Sequence, residues 1–530
     1  MTNEFSIQLH QLLKARRKGV VEMAQYCCCD RTTIYKFLHG TRVPNNLNIV
    51  QKMAAFLCLS ESEANHLYQA YRLTALGSDT FYRQEQVLHL FQFFHSRKAE
   101  LTAAMQRSDF SSSSRHFPVL PDADRPAESS SCGKNVCPFS VIEGKKNVLL
   151  LINELVNYTE GTIRVLLQGE MHDLLFLAPD TDGRFFFPPP STLCSENASA
   201  KAKNNERRIE HLLLLSDKET GTNAVAADIS SDSFNMSLIA SSLYCSLKCP
   251  WYQSYYLYHQ EPAEAIAAAA FPFYLLTEEV CLQISSDLSS GLLITDSEML
   301  LPFRKQFAEL KKSAKPLFCR QLTPADYLDS LPDSEIEKGN QYYIYQPGPY
   351  MGSVMTPELI QKVVSPSFLH DERLLAAYAS RIASFTERSG NGNCKHVLTP
   401  EGIRHFLETG YMPEFPCDVY LPPNPKLRRE MLRDYLHLMM RKDQLLLLRK
   451  PLSDPESGLC MSMSNHYVYF SYNSDFASPA FFLLTEPSLV KSFLTFFQTL
   501  DSDMVYSQDE TEQIVQLFLD EATNSGLNSE

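Results

Sequence analysis

The chain has 530 residues, of which 44% are hydrophobic and 21% charged, enough apolar material for about three ordinary globular domains. Its net charge of −14 is uneven: residues 1–110 hold 13 Lys+Arg against 9 Asp+Glu, and the remainder holds 35 against 53. A basic start followed by an apolar core is missing at residues 1–10, and the most apolar run, 265–276, contains Pro272 and falls short of the ~20 residues a bilayer span needs. These features lead us to expect neither a secreted disulfide framework nor a membrane-spanning helix. They predict a cytoplasmic protein with its 14 cysteines reduced.

Residues 6–18 form the first predicted helix, with Phe5, Leu9, Leu12 and Leu13 along one stripe. Lys14, Arg16, Arg17 and Lys18 crowd its C-terminal end, where cations suit the helix dipole. Gly19 breaks it. A short helix follows over 20–26, then a turn through Cys27, Cys28 and Cys29. Asp30 stands where a third helix wants a cap. In that helix Ile34, Phe37 and Leu38 share a face, so Arg31, Thr32, Tyr35 and Lys36 point away from the core, and Gly40 is the expected stop. Residues 48–57 and 60–76 predict two further helices with Val50, Met53, Leu57, Leu67, Tyr68 and Tyr71 inside. A helix over 81–107, carrying Val87, Leu90, Phe91 and Phe94, either links head to body or forms a dimer contact. Residues 111–138 read as a Ser/Pro/charged linker.

Beyond the linker, helical and strand-like stretches alternate. Residues 147–158 and 236–248 are helical in period, 162–168 and 209–215 read as buried strands, and 271–277 with 280–285 as a hairpin. Residues 188–190 and 195–207 read as a long loop. A repeat then stands out. Ser286-Asp287-Leu288-Ser289-Ser290 is echoed by Ser474-Asp475-Phe476-Ala477-Ser478, and Ile294-Thr295-Asp296 by Leu484-Thr485-Glu486. Each is followed by a helix with matched apolar positions: Met299, Phe303, Phe307 and Leu310 against Leu489, Phe493, Phe497 and Leu500. The body therefore reads as two related α/β halves.

Met23-Ala24, Ile34, Gly40 and Arg42-Val43-Pro44, spread over residues 6–75, resemble the Cro/C1-type (XRE-like) helix-turn-helix regulators. Val20, Cys28 and Leu38 depart from residues common in that family, a phosphate-holding Gln, a turn Gly and a Glu. The resemblance implies double-stranded DNA as partner, with the third helix in the major groove. By position Arg31, Thr32, Tyr35 and Lys36 then meet bases, and Arg16, Arg17, Lys18 and Arg42 meet phosphates. The first half of the body loosely resembles the phospholipase-D-like sensor domains of some regulators, on the order of elements and on residues 286–310. None of the 14 histidines is followed two residues later by Lys, so such a copy would be catalytically dead.

Other groupings carry weaker chemistry. Cys27 to Cys29 fit packing and a turn better than a redox switch, because adjacent cysteines form only strained disulfides. Cys245 and Cys249, with His259 beyond, lack the second pair a zinc site needs. The cluster of Tyr252, Tyr255, Tyr256 and Tyr258 around Trp251 fits a core face better than a ligand pocket. The loop at 389–393 lacks the Lys and Ser/Thr of a phosphate-binding loop.

The sequence thus predicts a multidomain protein: an all-α helix-turn-helix domain (1–78), a connecting helix (79–110), a linker (111–138) and a large α/β (α+β) C-terminal region in two related halves (139–325 and 326–530). The expected function is sequence-specific transcriptional regulation by a homodimer, without catalytic residues, metal, cofactor or membrane contact. The body would sense a small-molecule or protein effector, or drive oligomerisation. The alternatives are an enzyme or toxin-like effector with an autoregulatory DNA-binding head, and a protein-binding scaffold.

Overall fold

The computed structural model describes residues 3–99, 139–159, 161–167, 208–216, 225–249, 251–259, 270–321, 341–366, 372, 375–376, 394–414, 420–453, 458–474, 477–501 and 503–524. The expected linker at 111–138 and the expected loops at 188–190, 195–207 and 389–393 lie outside the described residues, as does the stretch 100–107 of the expected connecting helix.

The head is all helical: α1 Glu4–Ala15, α2 Val20–Tyr26, α3 Arg31–Leu38, α4 Leu47–Phe56, α5 Glu61–Leu76 and α6 Ser78–Ser96. Its core gathers Phe5, Leu9, Met23, Ala24, Cys27, Ile34, Phe37, Val50, Met53, Leu57, Leu67 and Tyr71, and the other expected core positions, Leu12, Leu13 and Tyr68, pack against it half-buried. Boundaries differ where caps decide them. Asn3 accepts from Ser6 N and starts α1 before the expected Ser6, and Asn46 accepts from Ile49 N and starts α4 at Leu47. Asp30 occupies the cap position of α3 but its side chain makes no capping hydrogen bond.

Helices α1 to α4 end the same way. After each, the next residue but one turns left-handed, at Arg17 (φ 51°), Cys28 (φ 54°), Gly40 (φ 69°) and Cys58 (φ 51°). The amide beyond reaches back five residues: Lys18 to Leu13, Cys29 to Ala24, Thr41 to Lys36 and Leu59 to Ala54. These are Schellman closures, and only Gly40 suits the conformation without steric cost. A left-handed L-residue costs roughly 1–2 kcal/mol, while Gly's extra unfolded-state entropy takes back ~0.5–1. Cys28→Gly and Cys58→Gly should therefore each stabilise the head by about 0.5–1 kcal/mol. Thermal melts of the full chain check this; a lowered midpoint in both variants would refute the strain argument.

The first half of the body runs β1 Phe139–Glu143, α7 Lys145–Tyr158, β2 Thr162–Leu166, β3 Arg208–Ser216, α8 Val225–Lys248, β4 Tyr252–His259, β5 Phe273–Leu276, β6 Cys281–Ile284, β7 Ser290–Ile294, α9 Ser297–Ser313 and β8 Lys315–Pro316. Its eight strands lie in the order β1-β7-β6-β5-β2-β3-β4-β8. Strands β2, β3 and β4 are parallel neighbours, with Val165 opposite His211 and His211 opposite Ser254. Strand β5 joins β2 antiparallel, and β6 and β7 continue the meander. The tyrosines after Trp251 form strand β4, where Tyr252 and Tyr256 point inward and Tyr258 faces solvent. Cys245 and Cys249 pack into the core with Tyr252 and Leu275.

After the short strand β9, Cys319–Gln321, the second half runs β10 Tyr342–Tyr345, a 3-10 turn Met351–Ser353, α10 Pro357–Val363, β11 Cys394–Leu398, α11 Pro400–Thr409, α12 Pro425–Arg441, β12 Leu445–Leu447, β13 Gly458–Met463, β14 Val468–Ser474, β15 Ala477–Leu484, α13 Pro487–Gln498 and α14 Gln508–Asn524. Strands β10, β11 and β12 are again parallel neighbours, and β13, β14 and β15 again an antiparallel meander joined to the first of them. The two halves therefore share one plan, three parallel strands, a meander and a capped helix.

The echoed motif sits at the same place in each plan. Asp296 accepts from Glu298 N and Met299 N to start α9, and Glu486 accepts from Ser488 N and Leu489 N to start α13. The matched apolar positions need two corrections: Leu500 lies beyond the end of α13 at Gln498, and Met299 is not a core position. In α9 it is Leu300, not Met299, that is buried, and Met299 is 41% exposed. In α13 both Leu489 and Val490 are buried, and α6 packs on that helix.

The chain forms two compact units, Met1–Lys98 with Gln321–Glu530, and Ala99–Arg320. In the first, α6 fastens the head to the second half. Arg83 Nη1 donates to Ser492 Oγ at 2.7 Å, and Gln84 Nε2 to the Thr499 carbonyl at 2.6 Å. Phe91 meets Tyr345 edge to face at 5.3 Å. Among the described residues no helix is long and apolar enough to cross a membrane.

Candidate nucleic-acid interface

Helix α3 is held from below. Ile34 and Phe37 are fully buried and Leu38 nearly so, which fixes the helix's rotation about its own axis. Asn3 Nδ2 donates to the Gly40 carbonyl at 3.3 Å and ties the far end of α3 to the start of α1. Arg31, Thr32, Tyr35 and Lys36 are all exposed on the opposite side, as their spacing requires. The first turn of the helix, whose free amides carry its positive dipole end, presents Arg31 and Thr32.

Two of these exposed groups, Arg31 and Tyr35, form a row with His39. The Arg31 guanidinium lies 5.4 Å from the centre of the Tyr35 ring, and its Nη2 donates to the Tyr35 hydroxyl at 3.3 Å. The Tyr35 ring stacks on His39 at 6.4 Å with 16° between the planes. His39 was missed by sequence reasoning. The signal was present, since residues 31, 35 and 39 repeat at four-residue spacing on one helix face.

The four expected phosphate contacts are all exposed, and they stand in different settings. Arg16 makes a forked pair with Glu63, at 2.6 and 2.8 Å. Exposed pairs of this kind contribute only ~0–1 kcal/mol, so an anion can displace Glu63. Lys18 Nζ lies 5.4 Å from the Phe56 ring centre. Arg42 donates to Asn45 Oδ1 at 3.5 Å. Arg17 holds the left-handed turn after α1. In the cysteine triplet, Cys27 is buried, Cys28 is the exposed left-handed residue and Cys29 is half-buried. Burial pushes the Cys27 thiol up to about 11, away from reactivity.

The body's ionisable groups are of another kind. His211 lies inside the first sheet, with Nε2 donating to the Leu167 carbonyl at 2.9 Å. A carbonyl only accepts, so the ring proton sits on Nε2 and Nδ1 accepts from the Tyr252 hydroxyl. His396, on the middle parallel strand of the second half, has the Tyr435 hydroxyl 3.2 Å from Nδ1. Burial lowers His211 to about 4 and His396 to about 3, so both rings are neutral. Glu414 accepts from Gly352 N at 3.1 Å and from Gln346 Nε2 at 3.3 Å, and burial raises it to about 7. Among the described residues no group of three His, Cys, Asp or Glu could hold a metal ion.

The fold is an all-helical head with a large α+β body whose two halves follow one strand plan. No family model matches the chain, and no curated protein matches it. Solved structures similar to it include TrmBL2, an archaeal chromatin protein with a novel mode of DNA binding, at 14% identity and a TM-score of 0.20, over 34% of this chain. The match spans 55% of TrmBL2. Another is phosphatidylserine synthase from Haemophilus influenzae, at 11% identity and a TM-score of 0.21, over 74% of this chain and 94% of that one. Likeness this slight leaves the role of the head to its own residues.

Proposed function

We propose that this protein is a sequence-specific DNA-binding transcriptional regulator that lays α3 in the major groove. One observation carries the reading: Arg31, Thr32, Tyr35 and Lys36 are exposed together on the face of α3 opposite buried Ile34 and Phe37. Arg and Lys donate to guanine O6 and N7, and Thr meets either a polar base edge or a thymine methyl. Arg16, Arg17, Lys18 and Arg42 supply affinity by neutralising phosphates, which makes binding fall as salt rises. In this reading two copies bind paired half-sites, since one small module buries too little surface for tight specific binding. The body then serves sensing or oligomerisation and not catalysis, in the cytoplasm.

Selection from random duplexes by the full chain, at two salt concentrations, tests the proposal. A shared motif is expected. No enrichment, with binding indifferent to salt, would overturn it. Arg31→Ala is expected to relax the preference at one base position and to cost about 1–3 kcal/mol there. Uniform weakening on every sequence would instead make Arg31 a phosphate contact.

A further inference from the structure

We infer that Tyr35 is a positioning residue for Arg31, fixing the guanidinium that reads a base, and that it does not read a base of its own. The inference rests on the proposed reading of α3 and deepens it.

An exposed arginine at a helix start has many rotamers, and a guanidinium that must find a base edge loses that freedom on binding. Here the freedom is already reduced. Tyr35, one turn along, meets Arg31 twice: its ring centre lies 5.4 Å from the guanidinium carbon and its hydroxyl accepts from Nη2 at 3.3 Å. The two contacts restrict different motions. The hydroxyl fixes the direction of the fork, and the ring face fixes its height above the helix. Only one of the five N–H donors of Arg31 is used, so four remain for a guanine edge. The Tyr35 ring is in turn backed by His39 at 6.4 Å and 16°. Tyr35 thus has Arg31 on its N-terminal side and His39 on its C-terminal side, and its hydroxyl is engaged by Arg31.

The test compares base preferences for the full-length wild type, Tyr35→Phe, Tyr35→Leu, Arg31→Ala and the double variant Arg31→Ala/Tyr35→Phe. All these positions are exposed, and thermal melts confirm that each variant is folded. The position that Arg31→Ala flattens defines the arginine-read base. Tyr35→Phe keeps the ring and loses the hydroxyl; it should cut discrimination at that same position about two- to ten-fold and leave the others unchanged. Tyr35→Leu should approach the Arg31→Ala profile. In the Arg31→Ala background, Tyr35→Phe should have no further effect.

Loss of preference at a different base, or equal effects of Tyr35→Phe in both backgrounds, would show that Tyr35 reads DNA by itself and would overturn the inference. An unchanged profile for Tyr35→Phe and Tyr35→Leu, with the wild type still enriching its motif, overturns the inference alone. Failure of the wild type to enrich any motif overturns it together with the DNA-reading proposal.

Discussion

Gly402→Ala is expected to destabilise the unit containing the head and the second half by about 3 kcal/mol or more, beyond the usual range for overpacking. A methyl group at this position would stand 1.8 Å from the Pro347 carbonyl oxygen, 2.2 Å from its carbon and 2.7 Å from Gly348 N. All three are backbone atoms, so no side-chain rotation relieves the clash. The approach is fixed from both sides. Thr399, the cap of α11, donates its amide to the Pro347 carbonyl at 3.0 Å, while its hydroxyl accepts from Gly402 N at 3.0 Å. The segment after β10 and the first turn of α11 are thereby clamped together. Helix propensity favours Ala over Gly by ~1 kcal/mol, and here that gain is overwhelmed. Urea unfolding followed by circular dichroism would measure the loss. A change within about 1 kcal/mol would mean that the crossing can open, and that the close backbone approach is not required. Because α6 fastens the head to this half through Arg83 and Gln84, the proposed DNA binding should fall with it.

Such a crossing is invisible in the sequence, where Gly402 is simply a glycine in the run Thr399-Pro400-Glu401-Gly402. Local features were legible because they follow short rules. The apolar stripes of α1 to α5 are periodic, and Ile34 and Phe37 by themselves place Arg31, Thr32, Tyr35 and Lys36 on the open face. The shared plan of the two halves was legible from one strand–cap–helix segment, because Asp296 and Glu486 both have to satisfy helix-start amides. Burial on a helix with two covered sides was not. Met299 and Leu489 occupy matching positions, yet Met299 is exposed and Leu489 is buried on a helix that α6 packs against. The seat of α6 on α13 joins residues some 400 apart, at Arg83 and Ser492, and no spacing rule reaches that far. The Arg31–Tyr35–His39 row lay between these extremes. Its spacing was in plain view, but a ring stack needs rotamers, and those are set by the surroundings.

Acid should unfold the Ala99–Arg320 unit through His211, and replacing this residue by Asn should remove most of that sensitivity. The ring is neutral when folded, with both nitrogens occupied by the Leu167 carbonyl and the Tyr252 hydroxyl. Its folded value is about 4 against an ordinary 6.5, so between these limits the unfolded chain binds the proton and the folded chain does not. Stability therefore rises with pH across that window. The penalty is absent above 6.5 and full below about 4. At about 1.4 kcal/mol per pH unit, it amounts to something on the order of 3 kcal/mol. In the other unit the corresponding ring, His396, falls to about 3 and acts with the same sign. It is opposed there by Glu414, held up to about 7 against an ordinary 4.5, which makes the folded chain the better proton binder between those values. The two nearly cancel from pH 4.5 to 6.5, so acid loss in that unit should set in later, below about 4.5. The chain's single tryptophan, Trp251, adjoins Tyr252 and reports the Ala99–Arg320 unit selectively. Urea unfolding followed by its fluorescence between pH 7 and 4 should show wild type losing on the order of 3 kcal/mol more than His211→Asn. The variant pays at pH 7 for hydrogen bonds it cannot remake, so the diagnostic is the pH dependence of the difference. A difference that stays flat from pH 7 to 4 would mean that His211 gains its proton without unfolding the sheet around it.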